Sequence, residues 1–260
     1  MIDIHSHLLW QVDDGPELLE EALMIATSAE QEGITEMIVT PHYAHPRYHA
    51  GKEKIEMKMG LLKMELEKRG VSLILHTGHE VRLTGELITL YQQGHFYLLA
   101  NSNYFLLELP SNTVPYYTTH IIQMAIREGL IPIIAHPERN KAIVANPRLL
   151  EKLVVAGAVT QLTAGSLTGH FGRAIQKSSM ELIKANLIHT YGSDVHNLTT
   201  RPFLFQQGLR YLEKRKELDL VDLLLENNER VIQNKPLQRG EPDMNRARKW
   251  WHLKVGIKKS

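Results

Sequence analysis

Seven short apolar runs, near residues 2–8, 35–41, 72–79, 104–109, 131–136, 158–163 and 188–193, alternate along this chain with helix-like segments. Few folds accommodate that order. Strands separated by helices do not pair as hairpins; each crossover returns the next strand parallel to the last, which predicts a parallel α/β fold. The helix-like segments lie near 17–32, 53–69, 84–93, 115–128, 147–156, 170–186, 202–216 and 218–233. In the first, Leu18, Ala22, Ile25, Ala26 and Ala29 share one stripe, and Gly33 supplies a stop. Gly70, Gly129 and Gly157 close later helices in the same way, while Pro41, Pro110, Pro132 and Pro137 stand at strand boundaries, where a missing amide donor is tolerated.

The ends of these runs carry hard metal ligands. In Met1-Ile2-Asp3-Ile4-His5-Ser6-His7, strand alternation puts His5 and His7 on one face. His42, Glu80, Glu108 and His136 end later runs, Asp194 and His196 repeat the i, i+2 spacing, and Asp14 follows the first run. Glu80 and Glu108 close apolar strands, where a lone buried charge is costly and a bound cation removes the cost. The other histidines have no partner in register: His76, His95, His120, His170, His189 and His252 lie within strands, on helices or in the tail. His79 should face away from Glu80, and His45 and His49 fall in a polar loop better suited to a substrate-facing rim. Ligands at strand C-terminal ends are explained best by a closed or distorted barrel, with a doubly wound open sheet as the alternative.

Bulk composition narrows the chemistry. At 260 residues and 43% hydrophobic content the chain suits one large domain with its own core. It has no cysteine, which excludes disulfides, thiolate zinc sites, iron–sulfur clusters and cysteine nucleophiles. A net charge of +1 gives no case for nucleic acid binding. No signal peptide or membrane span is legible, so a cytoplasmic location is expected. The basic charge collects at the end: Arg246, Arg248, Lys249, Lys254, Lys258 and Lys259 occur among the last fifteen residues with no acid, beside Trp250 and Trp251. We expect residues 1–238 to form the domain and 239–260 a basic tail, either solvated or resting on an anionic bilayer.

The segments MIDIHSHLL, DDG at Asp13–Gly15, TPH at Thr40–His42, GHE at Gly78–Glu80, ELP at Glu108–Pro110, IAHPERN at Ile134–Asn140, TAGSL at Thr163–Leu167 and SDVHN at Ser193–Asn197 carry a resemblance. Together they resemble the polymerase-and-histidinol-phosphatase (PHP) superfamily of metal-dependent phosphoesterases. More narrowly, the chain is similar to bacterial manganese-dependent tyrosine-protein phosphatases encoded with capsular or exopolysaccharide synthesis genes. The family often has cysteine where Ser6 stands. The resemblance spans about residues 1–235 and implies a distorted seven-stranded (β/α) barrel, TIM-barrel-like, holding three divalent ions. By the same resemblance His5, His7 and Asp194 bind the first ion with a bridging Glu80. Glu80, Glu108 and His136 bind the second, and Asp14, His42 and His196 the third.

Five imidazoles and four carboxylates without sulfur suit Mn²⁺, Fe²⁺ or Zn²⁺. Clustered divalent ions lower the pKa of coordinated water, which favours direct in-line attack with no phosphoenzyme. Arg139 and Arg201 follow His136 and His196 closely and suit bidentate contacts to phosphate. Tyr116–Tyr117 and the Arg47–Tyr48–His49 loop are candidates for a phosphotyrosine mouth. The resemblance implies a phosphatase that resets an autophosphorylated tyrosine kinase controlling polysaccharide synthesis. The alternatives are a small-molecule phosphatase, acting for example on histidinol phosphate, and a metal-holding protein that binds the kinase without hydrolysis.

Overall fold

The computed structural model describes residues 1–244. Its strands are β1 (Ile2–Ser6), β2 (Glu36–Val39), β3 (His42–Tyr43), β4 (Ile74–Thr77), β5 (Glu80–Arg82), β6 (Tyr104–Glu108), β7 (Ile131–Ala135), β8 (Val159–Thr163) and β9 (Thr190–Gly192). All pairings are parallel, in two sheets ordered β1-β2-β4 and β3-β5-β6-β7-β8-β9.

The seven expected runs are thus nine strands among the described residues, because two runs are interrupted. One breaks at Thr40–Pro41, where proline has no N–H to give the ladder. The other breaks at Gly78–His79, where the chain passes so close to its neighbours that a Cβ on Gly78 would lie 2.8 Å from Leu99 and 2.9 Å from Ile38. Each break shifts the second half of the run into the other sheet and leaves His42 and Glu80 as paired residues at its start.

Helices Leu19–Gln31, Lys52–Lys68, Leu87–Gln92, Thr118–Arg127, Arg148–Val155, Arg173–Lys184, Phe205–Lys214 and Leu218–Ile232 coincide with the eight helix-like segments. Gly33 ends the first with φ +87°. Two short helices, Lys141–Ala145 and Ala164–Thr168, and the 3₁₀ turns Leu99–Asn101 and Pro137–Arg139 are additions. Asn140 accounts for one of them: its side-chain oxygen accepts from Ala142 N (3.0 Å) and Ile143 N (3.1 Å), capping the new helix. Its amide also donates to the carbonyls of Pro110 (2.8 Å) and Thr113 (3.0 Å), tying the loop after β6 to the loop after β7.

Strand parity sorts the core. Ile2, Ile4, Ile38, Tyr104, Leu106, Ile133, Ala135 and Val159 form one buried cluster, capped by Val231 of helix Leu218–Ile232. The alternate residues Phe105, Leu107 and Ile134 pack with the surrounding helices. β1 holds one more residue than β2 between Asp3 and Ser6, a bulge of the kind that re-aims side chains beside a site.

The edges of the two sheets meet between β1 and β9. Ser6 bridges Val195, and His7 N–H donates to the Val195 carbonyl (2.9 Å). Further down the seam the buried side chain of Asn228 replaces the missing ladder. Its amide donates to the carbonyls of Ile2 (2.8 Å) and Tyr191 (2.7 Å), and its oxygen accepts from Tyr191 N (3.0 Å). Asn228→Leu keeps the volume but strands three buried backbone groups. At ~1–3 kcal/mol each, less what relaxation recovers, we predict a stability loss of roughly 3 kcal/mol, read from the denaturant midpoint. A midpoint equal to that of the unaltered protein would show that the seam is held elsewhere.

Past Gln233 the chain runs back along the body: Asn227 donates to the Gln238 carbonyl, Asn186 to the Glu241 carbonyl, and Met244 is buried. Trp250, Trp251 and the six basic residues expected to form the tail's charge lie outside the described residues. Among the described residues no helix is long and apolar enough to cross a membrane.

Candidate metal centre

All nine ligand-type residues converge on one site: Glu108 ends β6, whereas His42 and Glu80 open β3 and β5 just past the two breaks. Tyr104 and Leu106 fill the inner cluster, so Glu108, two further along β6, points the same way and reaches the site. Asp194 takes a left-handed conformation (φ +54°), as does His136 (φ +34°), so turns rather than strand geometry bring these two in.

Glu80 is the hub. Its Oε2 lies 3.0 Å from His42 Nδ1, 3.3 Å from His7 Nε2 and 3.6 Å from His5 Nε2, while Oε1 is 2.8 Å from His136 Nε2. Asp194 Oδ1 lies 3.3 Å from His5 Nε2, 3.6 Å from His7 Nε2 and 3.7 Å from His196 Nδ1. Asp14 Oδ1 faces His196 Nε2 (3.3 Å) and His42 Nε2 (3.4 Å). Donor atoms close enough to share an ion form three overlapping groups: His5, His7 and Glu80; His7, Asp14, His42 and His196; and His42, Glu80 and Glu108.

The donor atoms suit cations. Asp14 Oδ1, His42 Nδ1, Glu80 Oε2, Glu108 Oε2, Asp194 Oδ1 and His196 Nε2 are buried without a hydrogen-bond partner, a costly arrangement unless an ion satisfies them. The histidines are oriented from behind. His5 Nδ1–H donates to Gln161 Oε1 (2.8 Å), His7 Nδ1–H to Asp13 Oδ2 (2.7 Å) and His196 Nδ1–H to the Asp194 carbonyl (3.0 Å). Each contact frees the Nε2 lone pair toward the centre, and His5 and His7 bring theirs within 3.2 Å of each other. Arg82 does the same for a carboxylate, holding Glu108 Oε1 at 2.8 Å.

The local field favours added positive charge. Burial raises the Asp194 carboxyl, but Arg201, His5 and Arg139 hold it well below the usual carboxylate range. Burial likewise works against Glu80, yet His5 and His42 keep it ionised. Burial opposes a charge on His7, but Asp13 and Glu80 lift its pKa to about 9. Carboxylates this acidic beside imidazoles this basic form a site that gains from bound cations, which displace the imidazole protons.

Arg139 and Arg201 both grip Asp194 Oδ2, Arg201 at 2.6 Å, and both line a cavity of about 280 Å³ over the centre. Arg139 also lies against the Phe171 ring, 4.5 Å from its centroid. The rim includes His45, stacked on His42 with ring centroids 4.7 Å apart, and Arg47. Tyr116, Tyr117 and His49 do not line it; Tyr116 is 97% exposed and His49 packs on Tyr43. His79 faces away, accepting from Tyr97 N and donating to the Ala50 carbonyl.

Sequence reasoning missed Asp13, Gln161, Arg82 and Asn140. Asp13, the neighbour of Asp14 in the Asp-Asp-Gly turn, and Asn140, the last residue of the Ile134–Asn140 segment, gave a signal; Gln161 and Arg82 gave none. Asp13 accepts from His7 Nδ1, His42 N (2.9 Å) and Gly15 N (2.9 Å). Burial raises its pKa, but the His7 imidazole and these donors bring it down to about 2. We predict that Asp13→Asn weakens metal binding about 10–100-fold, measured by titration against a competing chelator, while the fold persists. Unchanged affinity would remove Asp13 from the supporting set.

Comparison with known proteins places these features. The family model for capsular polysaccharide synthesis, CpsB/CapC, matches residues 1–233. The chain is 39% identical to the Staphylococcus aureus protein CapC, whose designation as a tyrosine-protein phosphatase is provisional, over 96% of this chain and 98% of that one. It is 37% identical to the tyrosine-protein phosphatase YwqE of Bacillus subtilis, again over 96% and 98%. A solved chain from a crystallographic study of YwqE from Bacillus subtilis and CpsB from Streptococcus pneumoniae, described there as metal-dependent tyrosine phosphatases, superposes with a TM-score of 0.90. It shares 37% identity and covers 94% of this chain and 98% of its own. With the match running from the first histidine pair through the helix that closes the β1–β9 seam, this chain belongs to the CpsB/CapC family of capsular polysaccharide synthesis.

Proposed function

We propose that this chain is a metal-dependent protein-tyrosine phosphatase that dephosphorylates an autophosphorylated bacterial tyrosine kinase and so regulates capsular or exopolysaccharide synthesis. The observation that carries this reading is the set of six buried, unpartnered donor atoms directed at one centre beneath two arginines. We take His5, His7, Asp14, His42, Glu80, Glu108, His136, Asp194 and His196 as the metal ligands, and three divalent ions, manganese first and iron(II) or zinc otherwise, as their complement. When bound, such ions acidify water to a nucleophile near neutral pH and neutralise phosphoryl oxygens.

The chain's own residues do the rest. Glu80 and Asp194 set the spacing of the imidazoles by standing between them. Arg139 and Arg201 use part of each guanidinium to fix Asp194, and both line the cavity, where they suit a phosphate dianion. A phenolate leaving group, with a pKa of ~10, departs more readily than an alkoxide, which favours phosphotyrosine over phosphoserine.

We read the two sheets as parts of one distorted seven-run barrel, which the Ser6–Val195 bridge supports. We also keep the cytoplasm as the site of action, and a basic C-terminal segment, apart from the catalytic domain, as a membrane contact. Phosphate release from phosphotyrosine peptide, phosphoserine peptide and histidinol phosphate, with Mn²⁺ added, tests the function. The expected order places phosphotyrosine first by at least tenfold. Preference for histidinol phosphate would indicate a small-molecule phosphatase, and tight peptide binding without turnover a non-catalytic kinase-binding protein.

A further inference from the structure

Helix Lys52–Lys68 buries Ile55, Met59, Leu62 and Leu66 against the body and turns Glu53, Met57, Gly60, Leu61, Met64 and Lys68 outward. At 100° per residue these six fall within one stripe ~100° wide. Its middle is apolar on the solvent side: Met57 is 59% exposed, Leu61 42% and Met64 44%. None of the six lines the cavity over the metal centre.

The stripe is its own antiparallel complement. About a point midway between Gly60 and Leu61, Glu53 falls opposite Lys68 and Met57 opposite Met64, while Gly60 and Leu61 lie on opposite flanks of the stripe at its centre. Gly60 is an unfavourable residue for a helix interior, yet here it leaves an indentation: a Cβ built on it meets nothing within 4 Å. A carboxylate at one end, an ammonium at the other and an apolar middle with room for close approach suit a two-fold antiparallel helix pair.

We propose that a second copy of this chain covers this face, the two Lys52–Lys68 helices packing antiparallel about a two-fold axis. The two Leu61 side chains meet on one flank of the axis, the open space at Gly60 of each copy lets the helices close on the other, the methionines meet in pairs, and Glu53 of each reaches Lys68 of the other. Lys68 already donates to Glu65 within its own helix (2.7 Å), and an ammonium has donors left for a second carboxylate. One helix pair is small beside the interfaces of permanent dimers, so the association is reversible and depends on concentration.

The register makes the proposal testable, because the chain has no cysteine of its own. Met57→Cys and Met64→Cys are prepared as separate full-length, metal-replete proteins and treated with a short bismaleimide, singly and mixed. The mixture should cross-link at least tenfold faster than either variant alone, since residue 57 faces 64 and not itself. Sedimentation equilibrium supplies the second readout. Leu61→Glu should raise the dimer dissociation constant at least tenfold, Glu53→Lys should also weaken it, and the double exchange E53K/K68E should restore it. Turnover of a small aryl phosphate confirms that each variant is folded. Equal cross-linking in all three samples, a double exchange as weak as Glu53→Lys, or an unaltered chain still monomeric at ~100 µM would each overturn the pairing.

Discussion

Replacing Asp194 with alanine will lower kcat for a small aryl phosphate by more than 100-fold, with the fold intact. Losing groups that merely support metal ligands costs about 10–100-fold, and Asp194 does more than support. Its Oδ1 stands among His5, His7 and His196, and its Oδ2 anchors Arg139 and Arg201. One substitution therefore removes a proposed ligand and releases two guanidinium groups from their shared counter-charge. Asp194→Asn preserves the shape but not the charge, and it should lose nearly as much. A loss of 100-fold corresponds to ~2.7 kcal/mol of transition-state stabilisation, well above the uncertainty of steady-state kinetics. Rates within tenfold of the unaltered protein, with metal content unchanged, would remove Asp194 from the centre.

What the sequence reveals and hides here follows from range. Glu108 is legible because Tyr104 and Leu106 set the parity of β6, and strand alternation then carries the carboxylate to the inner face. The eight long helices are legible for the same reason, each being a periodic pattern within one window. Pro41 marks one break in the sequence, but the break at Gly78–His79 is not legible, because it depends on how close Ile38 and Leu99 come. Gln161 and Arg82 are silent in sequence, since their value lies across strands: Arg82 pairs in register with Glu108, and Gln161 with Thr190. Gly192 belongs with them. A Cβ there would lie 2.8 Å from that of His5 and 3.0 Å from Gln161 Nε2, so glycine allows the approach that seats His5. Arg139 and Arg201 were expected at phosphate alone; their joint grip on Asp194 requires the left-handed turns at His136 and Asp194, which no local pattern announces.

Metal removal should have the largest effect of all. Four proposed ligand carboxylates and two arginines surround imidazoles that Glu80 and Asp194 hold within 4 Å, an arrangement that depends on bound cations to supply an activated water. No cysteine is present, so the thiolate phosphoenzyme route is closed. Activity should fall at least 1,000-fold, about 4 kcal/mol, and iodoacetamide should have no effect. The direct test is to strip the protein with chelator, add Mn²⁺ back in steps, and measure bound metal by elemental analysis alongside phosphate release from a phosphotyrosine peptide. The account predicts that activity is absent without metal and rises with occupancy to a plateau at two to three ions per chain. Full turnover by protein shown to be metal-free would contradict it.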